Sequence, residues 1–490
     1  MVTGNLAHKL QPEEIERIDP LAPDPLKYTS VALSEVYSNN TRLEASAFNL
    51  EAKAAKYKVE HCRHGYVHLW GENSMVKRAY HAGRFKRNYV EKGTPDSVGF
   101  LGSSEMLNTN PQPVKYIKRN LASDKSLMVK RHTVLLSCSG TIGNTTFVNR
   151  TLEKFAFSQH IIRLECENYS GYIYACLNLP EVKNQILSMM YGAVIQEIEP
   201  EHLKNIIIPN APDSIKKKIH NLVVESYDLR DKSNELIDEA EQILYEELQL
   251  PPIEQLKPTY FDKDVDLRNY TTKLSELNLR LDCSYHTPET TSILGVIRKN
   301  AKEVRRIGDK EISKEIILAG RFKRTYVDNK NGIPFFGGKQ LLELNPSNMK
   351  YLSVDQHAKR IVKELQLKEN MIAVTCSGTI GKVNIVPKHW KNWALNQHVM
   401  RIVPATDDIA GYIYCWLNTD YAYHLIVRNT YGSVVDEIED QQLAQVVIPL
   451  LKNETKQKEI NDKILQANEL RYQAYTKEQE AIQIMENVLD

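Results

Sequence analysis

No run of 18 apolar residues occurs in this sequence and no charged-then-apolar leader opens it, so neither a membrane span nor a secretory signal is expected. Cysteine is scarce and scattered. The seven present (Cys62, Cys138, Cys166, Cys176, Cys283, Cys376, Cys415) form no CxxC pair and no Cys/His cluster. That gives no basis for a zinc site or a disulfide framework and suits a reducing cytoplasm. Also missing are a Walker motif, a glycine-rich cofactor loop, an Asn-Pro-Pro-Tyr-like methyltransferase tetrad and a nuclease carboxylate cluster. Pro95-Asp96 with Glu105 comes nearest to the last, and the counterpart later in the chain does not keep it. The expectation is a chain with no catalytic chemistry, metal or cofactor of its own. An excess of positive charge is lacking too: 63 Lys and Arg face 62 Asp and Glu. Coating nucleic acid by charge alone is therefore disfavoured, while local basic clusters stay open.

What the chain does have is one unit written twice, offset by 237 to 240 residues. Gly83-Arg84-Phe85-Lys86-Arg87 returns as Gly320-Arg321-Phe322-Lys323-Arg324, and Cys138-Ser139-Gly140-Thr141-Ile142-Gly143 as Cys376-Ser377-Gly378-Thr379-Ile380-Gly381. Gln159-His160 returns as Gln397-His398, Gly171-Tyr172-Ile173-Tyr174 as Gly411-Tyr412-Ile413-Tyr414, and Tyr191-Gly192-Ala193-Val194 as Tyr431-Gly432-Ser433-Val434. A repeat this long is a whole domain, not a 20–50-residue solenoid unit. Two copies suit a protein that contacts two similar things at once.

Residues 1–25, with Pro20, Pro23 and Pro25, read as an extended N-terminal arm. Residues 26–210 mix short β-branched runs with a helix expected near Gly171 to Met190, which makes the unit α+β. Residues 211–252 change texture. From Ser214 to Leu248 there is no Gly or Pro, and Ile215, Ile219, Leu222, Ser226, Leu229, Ser233, Leu236, Ala240 and Ile243 recur at alternating steps of four and three. This is a heptad pattern, the mark of a long helix seeking a helical partner. Asp213 or Ser214 is expected to cap it, and Pro251-Pro252 to stop it. A second α+β unit, 253–452, is followed by a second such helix, 453–490, with Ile460, Ile464, Ala467, Ala474, Ala481, Met485 and Val488 in register. The expected architecture is two similar α+β domains separated by two long helices packed as an antiparallel coiled coil, which would put the domains at opposite ends of a rod.

Each repeated motif has a functional and a bland interpretation. Arg84, Lys86, Arg87 and Tyr89, like Arg321, Lys323, Arg324 and Tyr326, place cations around an aromatic, as phosphate or guanine contact requires; the alternative is a solvated charge run on a strand. Ser139, Thr141 and Asn144, and Ser377, Thr379 and Lys382, belong to a two-glycine turn whose backbone N–H groups could meet a phosphate; equally, the glycines only permit a hairpin. Gln159 and Gln397 could read adenine, though an amide tying a strand to a turn is the commoner role. Cys138 and Cys376 are flanked by apolar residues, as small core residues are.

Taken in order, these motifs resemble the DNA-specificity subunits of type I restriction-modification systems. The likeness also rests on Arg-Leu-Glu/Asp-x-Ser (Arg42 to Ser46, Arg280 to Ser284), on strands ending in Ile208-Pro209 and Ile448-Pro449, and on a long helix after each domain. The resemblance implies two target-recognition domains, each reading half of a split double-stranded DNA site, with the helices setting the gap. It implies a bacterial or archaeal cytoplasm, two docked methyltransferase subunits, and restriction/translocase subunits. S-adenosylmethionine, ATP and magnesium would belong to those partners. The halves differ between motifs (Lys53 to Lys77 against His286 to Lys310), so an asymmetric site is expected. The chain departs from the family's Pro-rich, Glu-Gln entry into the helix, with Asn210-Ala211-Pro212-Asp213 and Leu450-Leu451-Lys452-Asn453 instead. The rival readings are a homodimerising coiled-coil scaffold for proteins, and a specificity subunit of another phage-defence methylation system.

Overall fold

In each half of the chain a wholly buried strand forms the centre. Val134–Ser137 is buried at all four positions. Its alternate side chains serve two cores: Val134 and Leu136 pack toward the helix Ser170–Asn178, while Leu135 joins Leu101, Met106 and Phe157 on the opposite face. A strand covered on both faces reads as a continuous apolar run, and this one does. It sits in an antiparallel sheet of order Val76–His81, Ile161–Cys166, Val134–Ser137, Thr145–Phe147. A second sheet, Tyr89–Val90, Lys115–Lys118, Ser97–Leu101, Ala156–Phe157, closes with one parallel pair. The second half repeats both sheets strand for strand around Ile372–Thr375. This computed structural model describes residues 30–38, 41–192, 194–256, 270–277, 280–432 and 434–490; the arm at 1–25 lies outside them.

Two local expectations need correction. The single helix over 171–190 is two, Ser170–Asn178 and Pro180–Ser188, because Pro180 lacks an N–H and begins a new helix at its first position. The first long helix, Asp213–Glu247, is preceded by Pro212, so Asp213 is a first-turn carboxylate rather than the cap. It lies 3.6 Å from Lys216. The second long helix, Glu454–Leu489, is capped by Asn453, whose side chain accepts from the Lys456 N–H at 3.2 Å.

The two long helices run antiparallel along their full lengths. Ser226 Oγ donates to the Ala474 carbonyl at 2.7 Å, Lys477 pairs with Glu225 at 3.2 Å and Lys463 with Glu239 at 2.7 Å. The heptad residues Ile219, Leu222, Ser226, Ser233 and Ala240 are buried as expected, but so is a polar stripe of Tyr227, Arg230, Asp231 and Asn234. Each helix serves two surfaces, its partner and a domain, so one seam does not account for its burial. The far ends are exchanged: Ala481, Met485, Val488 and Leu489 complete the first domain's core, while Ile237, Ala240 and Leu244 complete the second's. Burying each of the Ile, Leu, Met and Val side chains among these is worth about 1.5–3 kcal/mol, so the helix pair and the domains stabilise one another.

The domains lie over opposite halves of this pair and also meet across it. Thr109 N–H donates to the Leu342 carbonyl at 2.9 Å, and Asn108 bridges Glu343. Lys92 pairs with Asp420 at 2.8 Å. Asn108 and Glu343 occupy equivalent places in the two copies, so the contact falls on the pseudo-twofold axis. No helix among the described residues is long and apolar enough to cross a membrane.

Candidate nucleic-acid interface

The Gly-Arg-Phe-Lys-Arg segments are extended chain with one residue anchored. Phe85 tucks edge-on against Phe100 with centroids 6.3 Å apart, and Phe322 against Phe335 at 6.5 Å. That anchoring leaves Arg84, Lys86 and Arg87, and likewise Arg321 and Lys323, in solvent, with Arg324 half-buried. The next strand turns Tyr89 and Tyr326 outward, 43% and 40% exposed. Cations then stand over rings in a repeated order. Arg87 lies 5.9 Å from the Phe100 centroid and Lys115 5.5 Å from Tyr89; Arg324 lies 5.6 Å from Phe335 and Lys350 4.9 Å from Tyr326. Each contact restrains a long cationic side chain near an aromatic. Lys115 and Lys350 were not among the expected site residues. Their signal was available: Lys115-Tyr116-Ile117 returns as Lys350-Tyr351-Leu352.

In the second domain these residues border a groove of about 520 Å³. Arg324, Tyr326, Ser377, Thr379 and Lys382, all expected from the sequence, line it together with Lys339, Asn348, Lys350, Asn396 and His398, which were not. Its lining holds four cations and no carboxylate, so the groove attracts phosphate. Arg321 and Lys323 stay outside the groove, Arg321 within 3.5 Å of Glu437. The first domain has a different surface at the same place. Ser104 stands where the second has Lys339, and Asn144 where it has Lys382. Asn144 is 5% exposed and accepts from Asn348 of the other domain at 3.4 Å, so it serves the domain contact and does not face solvent.

The Ser-Gly-Thr-Ile-Gly turns spend their backbone donors internally. Gly140 N–H reaches Gln196 O at 3.3 Å, Thr141 N–H reaches Ser139 O, Gly143 N–H reaches Ser137 O, and Asn144 N–H reaches Ser137 Oγ at 3.0 Å. Gly378, Gly381 and Lys382 are tied in the same way. A phosphate cradle needs free N–H groups, and these N–H groups already have partners within the domain. The glycines are needed for conformation: Gly140, Gly143, Gly378 and Gly381 have φ between +74° and +88°. Ser139 and Ser377 donate to Glu197 and Glu437 at 3.1 and 3.3 Å.

Gln397 positions a cation: its Oε1 accepts from Arg324 Nη2 at 2.6 Å, while Nε2 sits 3.0 Å from His398 Nε2. Gln159 keeps the His160 contact at 3.2 Å, but its Oε1 has no hydrogen-bond partner among the described residues. His160 and His398 are held below the usual histidine range, chiefly by burial and then by Arg87 and Arg324 respectively. The loop before each histidine is fixed by a wholly buried arginine that sequence reasoning passed over. Arg163 donates to the carbonyls of Phe157 (2.7 Å) and Ser158 (3.0 Å), and Arg401 to those of Leu395 and Asn396 (3.4 Å) before His398 and of Val399 (3.1 Å) just after it. Cys138 and Cys376 are buried and their thiols pushed up to about 12 by burial, as inert core residues.

The model of the type I restriction modification DNA specificity domain family matches twice, over residues 83–241 and 304–482, which is more than half of the chain. The chain belongs to the type I restriction-modification DNA specificity family, and it carries two such domains in tandem. Among solved structures it is similar to the S subunit of a type I restriction-modification system from M. genitalium (12% identity, 86% of this chain and 98% of that chain, TM-score 0.30). It is also similar to the HsdS subunit from Thermoanaerobacter tengcongensis (14% identity, 86% and 98%, TM-score 0.26). No curated relative matches the sequence.

Proposed function

We propose that this chain is the non-catalytic DNA-reading subunit of a type I restriction-modification complex. Residues 26–210 read one half of a bipartite double-stranded site and residues 253–452 the other, while helices 211–252 and 453–490 set the gap and dock two methyltransferase subunits. Those partners, with S-adenosylmethionine, ATP and magnesium, supply methylation and cleavage. The observation that carries this reading is the carboxylate-free cationic groove of the second domain, built in part from repeated motif residues, together with its altered counterpart in the first. Shared motifs contact what both half-sites share; divergent linings such as Lys339 against Ser104 make the site asymmetric.

The homodimerising scaffold loses its main support. The seams that would recruit a second copy are occupied by each other within one chain. The test is methylated-base sequencing of a host with and without the gene, paired with gel shifts of the chain plus its methyltransferase. A gapped asymmetric motif that vanishes with the gene is expected; an unchanged methylome together with no shift sinks the proposal.

A further inference from the structure

The two domains meet through equivalent loops, 102–114 and 337–349, each lying between two strands of its own domain. Thr109 in the first loop is held on both sides. Its N–H donates to the Leu342 carbonyl of the second domain at 2.9 Å, and its carbonyl accepts from Asn234 Nδ2 of the first long helix, also at 2.9 Å. Beside it Asn108 and Glu343 form an antiparallel bridge. The second loop is tied to the second long helix in turn. Its Leu341 carbonyl accepts from Asn384 Nδ2 at 2.8 Å, and Asn384 Oδ1 accepts from Arg471 at 3.2 Å. Within the loop, Ser347 N–H donates to the Glu343 carboxylate at 2.6 Å and Gln340 Nε2 to the Ser347 carbonyl at 3.1 Å. The same loop gives Lys339, Gln340 and Asn348 to the cationic groove. Asn348 also crosses to the first domain, donating to Asn144 Oδ1 at 3.4 Å. Moving the groove against the first domain therefore breaks these bonds or deforms the loop.

We propose that this contact makes the chain selective for one gap length between its half-sites, and that Thr109, Asn144, Glu343 and Asn348 determine spacing rather than base identity. The inference rests on the function proposed above and adds to it. Helix length sets how far apart the domains sit; the contact sets how sharply other distances are rejected. The argument is geometric. Changing the gap by one base pair moves one half-site about 3.4 Å along the duplex and turns it by about 35°. The 2.9 Å bond from Thr109 to Leu342 does not survive a displacement of that size. Thr109, Asn144 and Glu343 are all buried, so shearing the contact also costs the desolvation of groups left unpaired. Long helices curve gently, so a rod alone rejects neighbouring gaps less sharply. The contact is also one-sided. Lys382 and Pro113 hold the places equivalent to Asn144 and Asn348; proline has no side-chain donor, and Lys382 lines the groove instead. The Lys92–Asp420 pair at 2.8 Å is half-exposed and adds little.

The experiment uses the full chain with its methyltransferase subunit. The probes are duplexes carrying both half-sites at the gap found by methylation mapping, one base pair shorter and one longer. N144A removes the acceptor for Asn348, and T109P removes the N–H that reaches Leu342. The parent should strongly prefer the mapped gap. Each variant should reduce that preference by about threefold, and the two together by about tenfold. Affinity at the mapped gap should stay within about threefold of the parent, with an unchanged melting temperature. In a host, methylation mapping of the combined variant should add motifs one base pair shorter or longer. If T109P lowers the melting temperature, N144A alone decides. A folded variant that keeps the parent's gap preference overturns the inference and leaves spacing to the helices. So does an equal loss of affinity at all three gaps, which would make the contact a source of general grip. A parent that binds no gapped duplex fails one step earlier, at the proposed function itself.

Discussion

Arg230 of the first long helix and Glu478 of the second meet as a buried ion pair, 2.5 Å apart, with side chains only 8% and 2% exposed. Tyr174 of the first domain donates to the other oxygen of Glu478, and the Arg230 guanidinium lies 4.1 Å from the Tyr227 ring centroid. Helix, partner helix and domain are thus joined at one polar point inside an apolar seam. The desolvation cost of such a pair offsets much of its Coulombic attraction, so the intact pair adds little net stability.

Removing one member should therefore cost more than removing both. R230M alone leaves Glu478 buried without its cation and should lower unfolding stability by about 3–5 kcal/mol, whereas R230M/E478L should recover most of the loss. Urea unfolding midpoints compare them. A single variant as stable as the parent would remove the pair from any structural role.

The basic motifs should act mainly on phosphate. K86A/R87A should weaken DNA binding and flatten its salt dependence by about one unit of slope for each phosphate no longer neutralised. K323A/R324A should do more, because Arg324 also holds Gln397 and lines the groove. Affinity and slope equal to the parent's would return the motif to a solvated charge run.

The gap between half-sites should follow helix length, but only when both helices change. Four residues inserted within Glu225–Glu235, matched by four within residues 466–476, add about 6 Å, close to two base-pair steps of B-DNA. The matched insertion keeps the antiparallel register that a single one would break. Methylation mapping should then show a longer gap and unchanged half-sites. An altered half-site with an unchanged gap would sink the spacer role.

Acid should loosen the second domain through His389. Its ring stacks on Tyr475 at 4.0 Å, and its Nε2 lies 2.9 Å from the Leu344 carbonyl, to which the neutral ring can donate. Burial holds its pKa down, to about 4. The folded state thus favours the neutral ring, so this contribution is present above pH 6.5 and is lost as pH falls toward 4. Between pH 7.5 and 5 it amounts to about 2 kcal/mol. H389Q should show a shallower loss over that window than the parent; equal slopes would refute the assignment.

The repeat, the α+β class and the two long helices were legible in the sequence because each depends on short-range pattern: a motif returning at a fixed offset, an apolar run, a four-three step. Part of the groove was legible for the same reason, since Arg324, Ser377 and Lys382 carry their signal within a few residues. Tertiary structure decided what those patterns touch. The polar stripe Tyr227–Asn234 contradicted a simple seam because a helix face can be buried by a domain that the heptad does not encode. Asn144 and Lys382 hold the same place in the repeat, yet one is buried against the other domain and the other lines a groove. Lys339, which belongs to no repeated motif, faces that groove because its loop follows a strand paired to Lys350–Ser353. Local order follows from neighbours along the chain; burial, pairing and charge at a site depend on residues brought from hundreds of positions away, and only the fold assembles them.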